Sequence, residues 1–150
     1  MTANPDQDFV LKTIKSRDVH FVRFWFTDVL GAMKSFAVVP GELEDALADG
    51  MGFDGSCIEG FCRTQESDML AYPDASTFQV LPWRPESNAV ARMFCDVRTP
   101  DGLPFEGDPR HVLARTVGKA REMGYVFNVG LSINYSSVCS KTAFEQAGGC

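Results

Sequence analysis

One segment of the chain carries the side chains that are best placed to do chemistry. In residues 52–68, the carboxylic acid of Asp54 and the hydroxyl of Ser56 lie among three glycines. A carboxylate can bind a cation or accept a proton, and a neighbouring hydroxyl can hold a loop by hydrogen bonding. The glycines argue against a stable helix or an interior strand. The segment is therefore predicted to be a loop, and connections of this length in compact domains are usually functional or disordered.

The simplest alternative is a mobile surface loop whose aspartate forms a turn, which loop aspartates do more often than they catalyse reactions. Phe53, Ile58 and Phe61 argue against that alternative. A solvated linker does not need apolar side chains. These three residues predict a segment that docks on another surface.

The rest of the sequence predicts the elements that must position this segment. Runs of β-branched and aromatic residues indicate strands, and apolar side chains at helical spacing indicate helices. The predicted strands are residues 20–26, 32–39, 77–83, 88–97 and 125–129. The predicted helices are residues 9–16, 40–50 and 108–124. Together they make a small α+β unit with helices on one face of a mixed sheet.

The predicted helices have recognisable ends and buried faces. Pro40 and Glu42 suit a first helical turn, and Gly50 suits a helix end. Asp108 is the expected N-cap of the last helix, and Pro109 its first residue. The predicted buried residues are Leu43, Ala46 and Leu47 in the first of these helices, and Val112, Leu113, Val117 and Ala120 in the second.

Charge and composition exclude several classes of partner. Lys and Arg number 14 against 20 Asp and Glu, a net charge of −6, which argues against nucleic acid and anionic membranes. No apolar run reaches membrane-spanning length, and the polar, acidic N-terminus is unlike a signal peptide. The chain is predicted to be soluble and cytoplasmic. Five cysteines without a Cys-x-x-Cys pair argue against a zinc site or a disulfide framework.

Several segments, taken in order, resemble the amino-terminal part of glutamine synthetases. Residues 52–60, Gly-Phe-Asp-Gly-Ser-Cys-Ile-Glu-Gly, are similar to the family's latch loop, whose pattern is close to Gly/Met-Phe-Asp-Gly-Ser-Ser-Ile-x-Gly. The other matching segments are residues 22–31, 66–69, 73–77, 95–97 and 100–110. Because the matches extend over roughly residues 10–130, the resemblance is more specific than one short motif.

The resemblance implies a fold and a domain division. It implies a β-grasp amino-terminal domain over residues 1–108, followed by the first helix and strand of an incomplete catalytic domain over residues 109–130. Residues 131–150 do not match the family and are predicted to be a disordered tail. The family continues after Gly130 with Pro-Glu-x-Glu, whereas this chain has Leu-Ser-Ile-Asn. A truncated gene, a frameshift and a genuine stand-alone module are the three explanations, and we favour the frameshift because a one-base shift over residues 130–132 can encode Gly-Pro-Glu.

The resemblance also implies an activity. Glutamine synthetases use ATP to phosphorylate the glutamate side chain, and ammonia then displaces the phosphate. Asp54 matches the latch aspartate that traps ammonium in a neighbouring subunit, and Ser56 matches a hydroxyl that helps hold the loop. Cys57 departs from the family's second serine, and a thiol is the weaker hydrogen-bonding group. ATP and Mg²⁺ or Mn²⁺ are the implied cofactors, although the residues that bind them in the family are absent from this chain.

Three functions follow as expectations. The first is an amino-terminal fragment of glutamate-ammonia ligase, inactive alone, that supplies Asp54 to a ring of like subunits whose substrates are glutamate and ammonium. The second is a paralogue that makes γ-glutamyl amides from polyamines or other amines. The third is a non-catalytic module that binds an intact synthetase.

Overall fold

The computed structural model describes residues 4–55 and 68–129. Its helices are α1 (Pro5–Ser16), α2 (Leu43–Asp49) and α3 (Pro109–Glu122). Its strands are β1 (Val19–Thr27), β2 (Met33–Val38), β3 (Met51–Asp54), β4 (Asp68–Pro73), β5 (Gln79–Val80) and β6 (Ala89–Arg98). Single turns of 3₁₀ helix at Pro40–Glu42 and Ala75–Thr77 precede α2 and β5. The chain divides into two units, Met1–Thr116 and Val117–Cys150, and the strands found within residues 4–55 and 68–129 all lie in the first.

The sheet is mixed and is organised around β6. The strand order is β2-β1-β6-β4-β3, with β5 also paired to β6. β1 runs parallel to β6, whereas the other pairs are antiparallel. β4 pairs with the end of β6, from Cys95 to Arg98. β3 is an edge strand, which suits a segment whose glycine would weaken an interior strand.

The core lies between one face of the sheet and the helices α1 and α2. Side chains in β6 alternate between buried and half-buried, as expected for a strand with one covered face. Val22 and Phe24 of β1 and Met93 of β6 are fully buried, and they share one cluster with residues of both helices. The helix residues in that cluster are Val10, Ile14, Leu43, Ala46 and Leu47. The buried face predicted for the helix over residues 40–50 is therefore confirmed in α2.

Several other predictions about elements are confirmed. β1, β2 and β6 match the predicted strands to within two residues at each end. Gly50 ends α2 with a φ of 80°, a conformation that favours glycine. Cys95 is buried in β6, and burial raises the pKa of its thiol above the ordinary value.

The structure also corrects several expectations. α1 begins at Pro5, four residues early, because Asn4 caps the helix by accepting from the Asp6 amide at 3.1 Å. The predicted strand over residues 77–83 is limited to Gln79–Val80, because Thr77 closes a 3₁₀ turn. β4 was not predicted as a strand, since its four apolar residues give only a short signal.

The end of the described chain differs most from expectation. Residues 125–129, predicted as a strand, have no regular secondary structure. α3 has no buried residue; of its predicted buried face, Val112 is 39% and Leu113 58% exposed. An amphipathic helix buries its apolar stripe only where another element covers it. In addition, Arg110 of α3 bonds to Asp96, whose side chain lies on the face of β6 away from α1 and α2, so the helices do not all share one face.

Candidate functional site

Asp54 is the last residue of the edge strand β3. It pairs in register with Asp68, the first residue of β4, and both side chains are exposed. Directly opposed residues of an antiparallel pair have Cβ atoms about 4.5–5.5 Å apart, and like charges there are unfavourable. The Cβ atoms of Asp54 and Asp68 therefore lie close together at the end of this strand pair. Ser56 and Cys57 lie outside the described residues.

Phe53 fixes the backbone beside Asp54. Its ring lies 4.9 Å from the Phe26 ring and 5.8 Å from the Phe36 ring, measured between centroids. It packs against a small cluster whose buried members are Phe26, Met69 and Val97, with Phe36 and Phe105 beside them. Because side chains alternate along a strand, the burial of Phe53 turns Asp54 outward.

A shallow hollow of about 300 Å³ adjoins this strand end. Its lining residues are Gly52, Phe53, Asp68, Met69, Leu70 and Pro100. Gly52 has open space where a side chain would lie. The hollow is partly apolar, and Asp68 is the charged residue of its lining.

Two other aspartates are buried, and both have structural roles. Asp28 is 1% exposed and accepts hydrogen bonds from the Leu30 and Ala32 amides at 3.0 and 2.8 Å, which hold the turn between β1 and β2. Asp108 is equally buried and accepts from the Arg110 amide at 3.0 Å, which confirms it as the cap of α3. Its second oxygen accepts from the Val97 amide at 2.9 Å. Burial raises the pKa of Asp108, although these two bonds oppose that shift.

Two carboxylates bind the guanidinium of Arg110. Its Nε donates to Asp96 Oδ1 at 2.7 Å, and its other arm bonds to Asp74. Burial lowers the pKa of Arg110, but the two carboxylates raise it above its ordinary value. The guanidinium thus binds one carboxylate in β6, Asp96, and one directly after β4, Asp74.

The described part of the chain offers no metal centre. No three His, Cys, Asp or Glu side chains within residues 4–55 and 68–129 lie together in a way that could hold an ion. His20 is 3.4 Å from Asp18 and His111 is 3.9 Å from Glu106, each beside a single carboxylate. A histidine beside one carboxylate does not suit the Mg²⁺ of an ATP complex, because Mg²⁺ prefers six oxygen ligands. No helix in the same ranges is both long and apolar enough to cross a membrane.

The sheet order and the covering helices define a small mixed α+β domain that resembles known proteins. A family model described as glutamine synthetase, beta-Grasp domain matches residues 18–100. The glutamine synthetase of Mycobacterium tuberculosis (strain H37Rv) is 59% identical over 121 residues, which are 79% of this chain and 27% of that protein. The glutamine synthetase of Methanosarcina mazei is 51% identical over 126 residues, 84% of this chain and 28% of that protein.

A solved structure agrees with the sequence relatives. The Plasmodium falciparum glutamine synthetase aligns with a TM-score of 0.71 at 23% identity, covering 83% of this chain and 24% of that one, which shows a shared fold. The chain belongs to the glutamine synthetase family and carries its amino-terminal β-grasp domain. It spans between a quarter and a third of the length of these two curated relatives.

The sequence identified Asp54 as a candidate but did not predict that it faces Asp68 across a strand pair. The facing of Asp54 and Asp68 depends on β4, whose short apolar run gave too little signal for a strand. The two partners of Arg110 were also missed, because Asp74 and Asp96 lie far from it in sequence.

Proposed function

We propose that this chain is the amino-terminal part of a glutamate-ammonia ligase and that Asp54 serves the active site of a neighbouring, like subunit. One observation carries the proposal. Asp54 ends an edge strand, is held outward by the packing of Phe53, and faces Asp68 across the strand pair. Membership of the glutamine synthetase family supports the same role.

The arrangement suits the binding of a small cation. Two carboxylates held opposite each other repel, and a cation near them offsets that repulsion. Ammonium is such a cation, and it donates hydrogen bonds to carboxylate oxygens. If one N–H proton passes to the Asp54 carboxylate, the electron pair stays on nitrogen, and the neutral ammonia can attack an acyl phosphate. In this proposal the Ser56 hydroxyl helps hold the loop that follows Asp54.

The remaining chemistry belongs to other parts of a complete synthetase. The family implies ATP and Mg²⁺ or Mn²⁺, and glutamate as the second substrate. Since the described residues hold no suitable ligand set, we assign these groups to the parts of the relatives that this chain does not span. We expect like subunits to assemble in a ring in the cytoplasm, and we expect the 150-residue chain alone to be inactive.

A chimera tests the proposal. Residues 1–129 of this chain replace the corresponding segment of the Mycobacterium tuberculosis enzyme, to which the chain is 59% identical over the matched region. We expect Asp54→Asn to lower kcat/KM for ammonium about a hundredfold, because the proton acceptor and the negative charge are lost together. The KM for ATP should not change.

The matched control is Asp49→Asn, an exposed acid at the end of α2. An unchanged ammonium dependence in Asp54→Asn contradicts the proposed role. Replacing ammonium by a polyamine in the same assay tests the amine-ligase alternative. Phosphate release by the isolated chain with ATP and metal would show that it is not an inactive fragment.

A further inference from the structure

The last four residues of β6 hold two distant parts of the chain. On one side β4 pairs with Cys95–Arg98, and β3 with Asp54 pairs in turn with β4. On the other side, residues 105–110, which we call the junction, bond to the same stretch of β6. The last two residues of the junction, Pro109 and Arg110, are the first two residues of α3. The positions of the end of β3 and of the start of α3 therefore both depend on contacts with the last four residues of β6.

Hydrogen bonds fasten the junction to the backbone of β6 and to one of its side chains. The Phe105 amide donates to the Val97 carbonyl at 3.0 Å, and the Val97 amide donates to Asp108 at 2.9 Å. One residue earlier in β6, Asp96 accepts from Arg110 Nε at 2.7 Å. Neighbouring side chains on a strand point to opposite faces. Asp108 thus fixes the junction at the backbone of β6, while Arg110 fixes it through a side chain on the outer face.

Arg110 also reaches the connection that follows β4. It bonds to Asp74, which caps the 3₁₀ turn Ala75–Thr77 by accepting from the Ser76 amide at 3.1 Å. Asp74 directly follows Pro73, the last residue of β4. One guanidinium therefore joins the end of β4, the end of β6 and the start of α3.

Side-chain packing completes the link to Asp54. Phe105 of the junction packs against the cluster of Phe26, Met69 and Val97, and so does Phe53 from β3. Phe53 is the residue before Asp54. A shift of the junction would therefore disturb the same cluster that turns Asp54 outward.

We propose that Arg110 is a positioning residue that holds Asp54 in a fixed place relative to the start of α3. The inference rests on the proposed function, because only a catalytic Asp54 needs such placement. Arg110 touches no reacting group and acts through β6, β4 and the Phe53 cluster. Lysine cannot replace it fully, since one ammonium lacks the planar fork that reaches two carboxylates.

The test uses the chimera that carries residues 1–129, with the variants Arg110→Gln and Arg110→Lys. We expect Arg110→Gln to raise the KM for ammonium about tenfold while the KM for ATP stays constant, because small displacements of a catalytic group have large effects. Arg110→Lys should fall between Arg110→Gln and the parent, and it provides a milder variant if Arg110→Gln does not fold. The matched control is Arg121→Gln, which removes an exposed arginine in the last turn of α3.

Combining Arg110→Gln with Asp54→Asn separates positioning from general stability. If Arg110 acts through Asp54, the double variant should have the same ammonium KM as Asp54→Asn alone. Additive effects on KM, or a lowered Tm with an unchanged ammonium KM, would overturn the positioning role. If Asp54→Asn itself leaves kcat/KM for ammonium unchanged, the proposed function is wrong. If only Arg110→Gln leaves it unchanged, the positioning inference alone is wrong.

Discussion

At the scale of single residues, the same side chain has different roles in different surroundings. Asp28 and Asp108 are buried and use their oxygens to bind backbone amides, so they shape a turn and a helix start. Asp74 is half-buried and bonds to Ser76 and Arg110. Asp54 is exposed at a strand end and faces another acid. Burial thus separates Asp28 and Asp108 from the acid to which we assign chemistry.

The ion pair of Asp74 predicts a specific pH dependence of stability. Burial raises the pKa of Asp74, but hydrogen bonds from Ser76 and Arg110 and the Arg110 charge bring it below the ordinary value of 3.8. The stabilisation is therefore fully present above pH 3.8 and is lost as the pH falls through the folded-state pKa. We expect Asp74→Asn to lower the free energy of unfolding at pH 6, and the loss to shrink below pH 3.8.

Urea unfolding at pH 6, 4 and about 3 measures this difference. Asparagine can still accept a hydrogen bond from the Ser76 amide, so the variant removes mainly the charge. Asp101→Asn, at an exposed turn, is the matched control. A loss that is the same at all three pH values would rule out the ion pair as its source.

Residue-scale prediction from sequence succeeded where the cause is local. The cap at Asp108 follows from its place directly before Pro109 and a helical pattern, and the structure confirms it. The partners of Arg110 come from residues 14 and 36 positions away, and no local pattern carries that information.

At the scale of elements, the edge strand β3 depends on the glycine before it. Gly50 has a φ of 80°, and a Cβ atom there would lie 2.8 Å from the ring of Tyr72 in β4. Because glycine has no Cβ, the backbone at Gly50 can pass close to the Tyr72 ring as the chain leaves α2 and enters β3. The proposed catalytic residue lies four positions further along, so its place depends on this turn.

Substituting three glycines separates the two constraints at Gly50. We expect Gly50→Ala to lower the free energy of unfolding by about 1–3 kcal/mol, from strained φ and contact with Tyr72. Gly31→Ala, with a φ of 81° and open space, should show the cost of φ alone. Gly52→Ala, which has neither constraint, should be neutral or stabilising by at most about 1 kcal/mol. Urea unfolding compares the three, and equal effects would refute this explanation of the turn.

Element prediction from sequence was accurate for long, strongly patterned segments. The aromatic and β-branched run of β1 and the apolar spacing of α2 were sufficient. Element prediction was inaccurate where contacts between distant segments determine the secondary structure. Asp74 N and the Thr77 hydroxyl bond to Phe94 of β6, which holds this segment as a 3₁₀ turn where a strand was predicted. β4 gains its strand character from β3 and β6 on its two sides.

At the scale of the whole molecule, the chain combines a sheet with a buried core and exposed apolar side chains in α3 and in residues 125–129. Val112 and Leu113 in the first unit are exposed, and so are Val126 and Phe127 in the second. The chain spans 27% of the length of the Mycobacterium tuberculosis relative. The family resemblance identified the fold from sequence, but the exposure of α3 could not be predicted, because the helical pattern alone does not show what covers it.

Mixed assemblies of chimeric subunits provide the most direct test of the central claim that Asp54 completes the active site of a neighbouring subunit. One subunit carries Asp54→Asn, and the other is inactivated only within its catalytic domain. Each homogeneous assembly should be nearly inactive. After unfolding and joint refolding, we predict that activity returns, because an intact catalytic domain then lies beside an intact Asp54. Mixed assemblies that form but remain as inactive as their parents would contradict the account.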